Sequence, residues 1–292
     1  MSQYILVTPA KNEGVNLPSV IASVTSQTIL PEVWLILDDG STDTTPLILQ
    51  EAASIYPWIR IMCLPPHPRD ITFHYSYVCK MGFDEIIRFC TANNIDYQYI
   101  GLLDGDTEVS DRYFETLIRT MEKNASLGIV SGRIYHRING VLTWNKSNEH
   151  RPAGTGRLWR KECFFESGGY PIEPSPDSIS NIKAQRRGWK IRKCKEAVAV
   201  ERRMTSGAEG LWNGYKMRGK TAYYLNKRPL SILMNSAYFT IRTPHYTGAA
   251  YLYGYLHDLA QKKKQIEDEE IKNYYRKERP PWFRPCLLYT SP

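Results

Sequence analysis

Ile100-Gly-Leu-Leu-Asp104-Gly105-Asp106-Thr107 is an apolar strand that runs directly into two carboxylates with one glycine between them. On extended backbone, residues i and i+2 point to the same side, and Gly105 lets the chain turn between them. Such a pair suits a hard divalent cation, because Mg²⁺ or Mn²⁺ binds through one or two carboxylates and leaves positions for phosphate oxygens. A nucleotide diphosphate supplies those oxygens, and the cation stabilises the charge that grows on a departing diphosphate. The same triplet also reads as an ordinary strand-end turn, since Asp and Gly both favour turns.

Working outward, Val33-Trp-Leu-Ile-Leu-Asp38-Asp39-Gly40-Ser41-Thr42-Asp43 is a second strand that delivers acids, and Thr8-Pro9-Ala10-Lys11-Asn12-Glu13 follows a first. Asp38 and Asp39 can accept hydrogen bonds from a base N–H or a ribose hydroxyl, while Asp43 is placed to cap the next helix. Strands are expected at residues 4–8, 33–37, 59–63, 97–103 and 128–134, and helices at 15–26, 44–56, 75–93 and 111–123. This alternation predicts an α/β fold with a mostly parallel, Rossmann-like sheet flanked by helices, whose strand ends gather at one edge. Residues 64–72 hold three prolines and read as a loop.

After about Ser206 the composition shifts to Tyr, Lys and Arg. We therefore expect a domain over residues 1–204, a helical C-terminal region over 205–280, and an extended or disordered tail over 281–292 with three prolines. A chain of 292 residues, 42% of them hydrophobic, can bury one substantial core. The six cysteines show no paired spacing, which predicts neither disulfides nor a zinc site and fits a reducing, cytoplasmic setting. The N-terminus reads as a strand rather than a secretion signal. The longest apolar stretch, residues 229–256, is interrupted by Asn235, Arg242 and His245, so no spanning helix is expected. A formal charge of +8 suits phosphorylated substrates or anionic lipid; nucleic acid is set aside because no motif for it accompanies the charge.

In order along residues 4–203, the TPAKNE start, Ser26-Gln27-Thr28, LDDGSTD and LLDGD together resemble the family-2 glycosyltransferases of the GT-A fold. The resemblance implies transfer of a sugar, with inversion, from a UDP- or GDP-linked donor to a glycan or lipid-linked acceptor. It implicates Pro9, Ala10, Glu13, Asp38 and Asp39 at the nucleoside, Asp104, Gly105 and Asp106 at the diphosphate and its Mn²⁺ or Mg²⁺, and Lys80, of Lys80-Met81-Gly82, near the phosphates. An inverting transferase needs a base for the acceptor hydroxyl. The family carries an acid at the start of a helix followed by Gly-Trp, which Gly168 to Trp189 resembles, so Asp177 becomes the base and Glu173 its reserve; capping of a helix over 178–187 is the other reading of Asp177. Where relatives supply a His ligand this chain has Glu201-Arg202-Arg203, so Glu201 becomes a candidate third metal ligand, or the arginines grip the diphosphate. The QxxRW motif of processive synthases is absent, which predicts single additions.

Trp159 in Gly154-Thr-Gly-Arg157-Leu-Trp159 is a candidate acceptor-stacking ring or a core residue. The six histidines have no ligand spacing and read as structural or surface groups. The aromatic stretch from Tyr223 to Tyr255, with Lys220, Lys227, Arg228 and Lys262 to Lys264 around it, fits either peripheral docking on the cytoplasmic membrane face or a plain helical layer. Two other classes remain open at this stage. A sugar-phosphate nucleotidyltransferase would want a more glycine-rich first loop than TPAKNEG. A catalytically inactive membrane-bound GT-A scaffold would explain the missing His.

Overall fold

Every residue of β1 (Tyr4–Ala10) and of β2 (Val33–Asp38) is buried, which is why both read as unbroken apolar runs: a parallel strand covered by helices on both faces has no solvent side. The computed structural model describes residues 3–66, 73–138, 141–144, 151–202 and 210–278. The chain divides into two compact units, Met1–Arg203 and Met204–Pro292. The tail expected over 281–292 and the greater part of the proline loop lie outside the described residues, as does Arg203.

In the first unit, α1 (Leu17–Thr25), α2 (Thr45–Ile55), β3 (Ile59–Cys63) and α3 (His74–Ala92) lead to β4 (Tyr99–Leu102) and β5 (Thr107–Val109). Then come α4 (Tyr113–Glu122), β6 (Leu127–Ile138), β7 (Val141–Trp144), β8 (Arg157–Arg160), α5 (Lys161–Glu166), α6 (Pro176–Arg186) and β9 (Lys190–Glu201). One sheet of nine strands runs β3-β2-β1-β4-β8-β6-β9-β5, with β7 paired to β6. Its first half is parallel, as the alternation predicts. From β4 onward it is mixed: β8 is antiparallel to β4 and β6, and β5 to β9, while β6 and β9 run parallel.

Alternate strand residues feed two cores. Tyr4, Leu6, Trp34 and Ile36 pack with α1, α2 and α4, whereas Ile5, Val7, Leu35 and Leu37 pack with α3, α5 and α6. Trp159 belongs to the second core. It is 1% exposed and meets Phe83, Phe164 and Tyr170 at ring-centroid distances of 5.7–6.1 Å, so it is a packing residue and not an acceptor-stacking ring.

The register fixes where the chemistry lands. Ala10 pairs with Asp38 and Val7 with Leu102, so the chain leaves β1, β2 and β4 at one edge of the sheet. Gly40 turns away from β2 with φ +67°, and a Cβ there would sit 2.6 Å from the Pro65 carbonyl oxygen, so the Asp38-Asp39-Gly40 order requires its glycine.

In the second unit, α7 (Leu211–Tyr224), α8 (Pro229–Ile241) and α9 (Tyr246–Ala260) precede the short α10 (Glu269–Asn273). Gly219 of α7 and Gly254 of α9 bring the two backbones together: a side chain on either would collide with the Tyr251 or the Lys216 carbonyl oxygen.

Candidate active site

Asp104 follows β4 and is held at both ends. Its backbone N–H donates to Thr155 Oγ1 at 2.9 Å, and the Tyr75 hydroxyl donates to its Oδ1 at 2.6 Å. Gly105 N–H reaches the Pro9 carbonyl oxygen at 3.3 Å, and a Cβ on Gly105 would lie 3.1 Å from Ala10 Cβ and 3.3 Å from Glu13 Cγ. The glycine between the aspartates thus serves close packing of the first loop against the acidic turn, rather than a left-handed backbone. Asp106 leads into β5, whose Thr107 is paired with Glu201 at the end of β9.

Three carboxylates therefore share one field. Burial first, and then the Asp106 charge, push the Asp104 carboxyl up to about 7, despite the hydrogen bonds from Tyr75 and Thr155. Burial, followed by Asp104 and Asp106, pushes Glu201 up to about 8. His136 Nδ1, across the β6–β9 pair, lies 3.2 Å from Glu201 Oε2, within ion-pair distance but without hydrogen-bond geometry, and is buried with no hydrogen-bond partner.

Crowded acids beside an orphaned imidazole nitrogen are a donor set that suits a divalent cation. Among the described residues no three His, Cys, Asp or Glu side chains converge closely enough to hold a metal unaided. The fit is therefore to an ion carried by one or two carboxylates and completed by phosphate oxygens and water.

A pH dependence follows. In cation-free protein these two carboxyls keep protons that an unfolded chain has lost, so their contribution to stability is fully present below about pH 4 and is lost as pH rises through about 7 and about 8. Mn²⁺ opposes that loss, so its thermal shift should grow between about pH 6 and about pH 8.5. A shift that stays flat across this range would separate the cation from these acids.

The nucleoside candidates form the adjoining wall. Asp38 Oδ1 accepts from Ser41 N–H at 2.9 Å, and Asp39 N–H donates to the Ala10 carbonyl at 2.8 Å. Glu13 accepts from Asn16 Nδ2 at 2.7 Å, and its N–H donates to Thr45 Oγ1 at 2.8 Å. Lys11 Nζ donates to the Asp39 carbonyl at 2.7 Å, and Asp43 binds the N–H groups of Gly14 and Thr45 at 3.0 and 2.9 Å, so the first and second loops are tied together. The N-terminus of α3 joins the two acidic clusters. His74 Nε2 lies 2.8 Å from Asp39 Oδ1, and the next residue, Tyr75, holds Asp104.

Asp177 is the second residue of α6, one past the N-terminal Pro176, and Ser175 occupies the N-cap position. It is thus not the cap of its helix. Among the described residues its carboxylate has no hydrogen-bond partner. Behind it lies Arg157, fully buried, with Nη2 3.0 Å from Asn181 Oδ1 and 3.4 Å from the Pro152 carbonyl, and Nη1 3.5 Å from the Asp177 carbonyl. Burial lowers the Arg157 pKa, and the carboxylates of Asp177 and Asp104 oppose that, so both act on the same cation. The Arg157 Nε is buried without a partner.

Arg157→Met removes these hydrogen bonds but also relieves a buried charge. The opposed effects should leave stability within about 2 kcal/mol. Transfer should fall about 10- to 100-fold as the Asp177 turn loosens, with nucleotide binding retained. Unchanged turnover would make Arg157 a packing residue only.

Two candidates are not joined to the cluster. Lys80 is committed to Asp84 one helical turn on, at 2.6 Å, and has no hydrogen bond or ion pair to the acids. Arg202 binds Glu108 Oε1 at 2.5 Å and Ser19 Oγ at 3.0 Å, which occupies the fork that was to grip a diphosphate. Conversely, His74 and His136 sit within the site although their spacing gave no sign of it, and Tyr75 and Thr155 carry no signal apart from their polarity.

The model of the family described as Glycosyl transferase family 2 matches residues 5–172. Among solved structures, the chain is similar to the mannosyltransferase PcManGT of Pyrobaculum calidifontis in complex with GDP-Man and Mn²⁺, with a TM-score of 0.53, 15% identity, and 87% of this chain and 70% of that one covered. It is also similar to S. aureus TarS 1–349 in complex with UDP-GlcNAc, with a TM-score of 0.56, 10% identity, and 91% and 93% covered. Against the longer S. aureus TarS chain, the TM-score is 0.53 at 12% identity, with 92% of this chain and 46% of that one covered. At these identities the likeness is one of fold, the GT-A arrangement of a sheet between helical layers.

Proposed function

The chain belongs to glycosyl transferase family 2, and from that membership we propose inverting transfer of a sugar from a UDP- or GDP-linked donor to a glycan or lipid-linked hydroxyl, assisted by Mn²⁺ or Mg²⁺. The observation that carries this reading is the bridge at the start of α3, where His74 and Tyr75 tie Asp39 and Asp104 into a single acidic wall. Asp38, Asp39 and Glu13, with Pro9 and Ala10, cradle the nucleoside through carboxylate acceptors. Asp106, with Asp104 and Glu201 beside it, would hold the cation, which would supply positive charge against the leaving diphosphate.

Asp177 takes the proton of the acceptor hydroxyl as its oxygen attacks the anomeric carbon from the side opposite the diphosphate. Tyr75 and Thr155 keep Asp104 from swinging away while the site is negative. His136 beside Glu201 weakens one of the two grounds for an inactive scaffold, the lack of a histidine near that strand, and leaves the other, Asp177 without an acidic neighbour, to the test of Asp177 itself. The enzyme works in the cytoplasm, peripherally on the inner membrane face, where the aromatic and basic residues of the C-terminal helices meet lipid.

A thermal-shift panel of UDP, GDP and CMP, with and without Mn²⁺, tests the donor class. One of the diphosphates should stabilise the protein only when the cation is present. No shift with any of them, or equal shifts without metal, would overturn the reading.

A further inference from the structure

We propose that the second unit is a docking module that lies flat on an anionic phospholipid surface, with the outward faces of α8 and α9 set into the headgroup boundary. The proposal deepens the membrane contact suggested above and rests on it.

Of the thirteen residues of α8 only Ile232 is buried among its apolar side chains. The outward residues are Leu230, Leu233 and Ile241, at 54, 59 and 79% exposure, with Ala237 between them on the same face. A helix that faces water carries polar residues on that side. This one carries an apolar stripe at helical spacing.

The outward side of α9 repeats the pattern with Tyr246, Tyr253 and Leu256 at 47, 52 and 48% exposure. Trp212 of α7, itself 42% exposed, lies 6.2 and 6.3 Å from the rings of Tyr246 and Tyr253, which makes a half-open aromatic cluster. Rings with one apolar side and one polar edge settle at the level of lipid headgroups.

Charge selects the occupant. Residues 211–264 contain nine lysines and arginines and one acid, Asp258. That acid is buried and faces His257 at 2.9 Å and Lys220 at 3.9 Å, and the acids of residues 267–270, of which Glu267 pairs with Lys264 at 2.7 Å, follow the stretch, so the helices that bear the apolar stripes keep a strong excess of positive charge. A second copy would bring like charge against like, whereas anionic headgroups bring the complement.

The unit lies on a bilayer rather than crossing it. Among the described residues no helix is long and apolar enough to span. The 13 residues of α8 and the 15 of α9 reach only about 20 Å against a hydrocarbon core of about 30 Å.

Co-sedimentation of the full chain with vesicles tests the proposal. The protein should pellet with phosphatidylcholine vesicles that contain phosphatidylglycerol, remain in solution with phosphatidylcholine alone, and be released by high salt. The double variant Leu233→Asp with Ile241→Asp should lower the bound fraction about tenfold, with its melting temperature and its nucleotide-plus-Mn²⁺ shift unchanged. Failure to bind the anionic vesicles, or equal binding by the double variant, overturns the proposal, as does conversion of a dimer to a monomer by that variant in light scattering. The nucleotide shift is read in the absence of lipid, so loss of the docking surface and loss of the transferase reading are separate outcomes.

Discussion

Asp104→Asn should abolish transfer and at the same time make the cation-free protein more stable near about pH 8. Asn keeps the acceptor that Tyr75 donates to at 2.6 Å and the backbone N–H that reaches Thr155, so the turn stays in place. What disappears is a carboxylate that burial and Asp106 have pushed up to about 7. Ionising such a group at higher pH costs the folded state free energy, and its removal should return on the order of 1–3 kcal/mol. Relief of Asp104 also lowers the field on Glu201, whose carboxyl is raised in part by the same charge.

Activity moves the other way, because an amide has no charge to share with a cation at the diphosphate. The loss should be on the order of 10²–10³-fold or more in kcat. Asp106→Ala should match it in activity. The two measurements are kcat at saturating donor and melting in the presence of chelator. A fully active Asp104→Asn, or one that is less stable than the parent above about pH 8, would show that the acids do not form the repulsive cluster described.

How far this site could be read in advance depended on how locally each part is encoded. β1, β2 and β4 are apolar runs that end at Ala10, Asp38 and Leu102, and their burial on both faces leaves no other reading. The acid pairs sit within three residues of one another, so both clusters were visible. The antiparallel half was not. β8 begins and ends with arginine, and Arg157 is wholly inside the protein because Asn181 and two backbone carbonyls take its donors, which no hydrophobic pattern announces. β9 starts Lys-Ile-Arg-Lys-Cys-Lys-Glu and exposes most of these charges, so its strand character is hidden until Ala197. Tyr75 and Thr155 reach Asp104 from 29 and 51 residues away, and only the folded register of the sheet brings them there.

Asp177→Asn should leave donor binding intact and remove transfer, because the substitution changes one proton acceptor and nothing that holds it. The residue lies in the first turn of α6, its carboxylate has no hydrogen-bond partner among the described residues, and its carbonyl is the part that Arg157 approaches. Helix and anchor therefore survive the exchange of carboxylate for amide. Asp177 and Asp104 both act on the Arg157 cation and on the buried Tyr170, while only Asp104 shares the field of Asp106. That separation of roles is what an inverting reaction needs: acids around the leaving diphosphate, and one acid apart from them for the incoming hydroxyl. General-base loss should lower kcat about 10²- to 10⁴-fold, while the Mn²⁺-dependent nucleotide shift stays at the parental value. Asp177→Glu should recover part of the rate, since it restores a base at a slightly different reach. If Asp177→Asn turns over at the parental rate, the base lies elsewhere, and Glu173 in the loop ahead of α6 is the residue to substitute next.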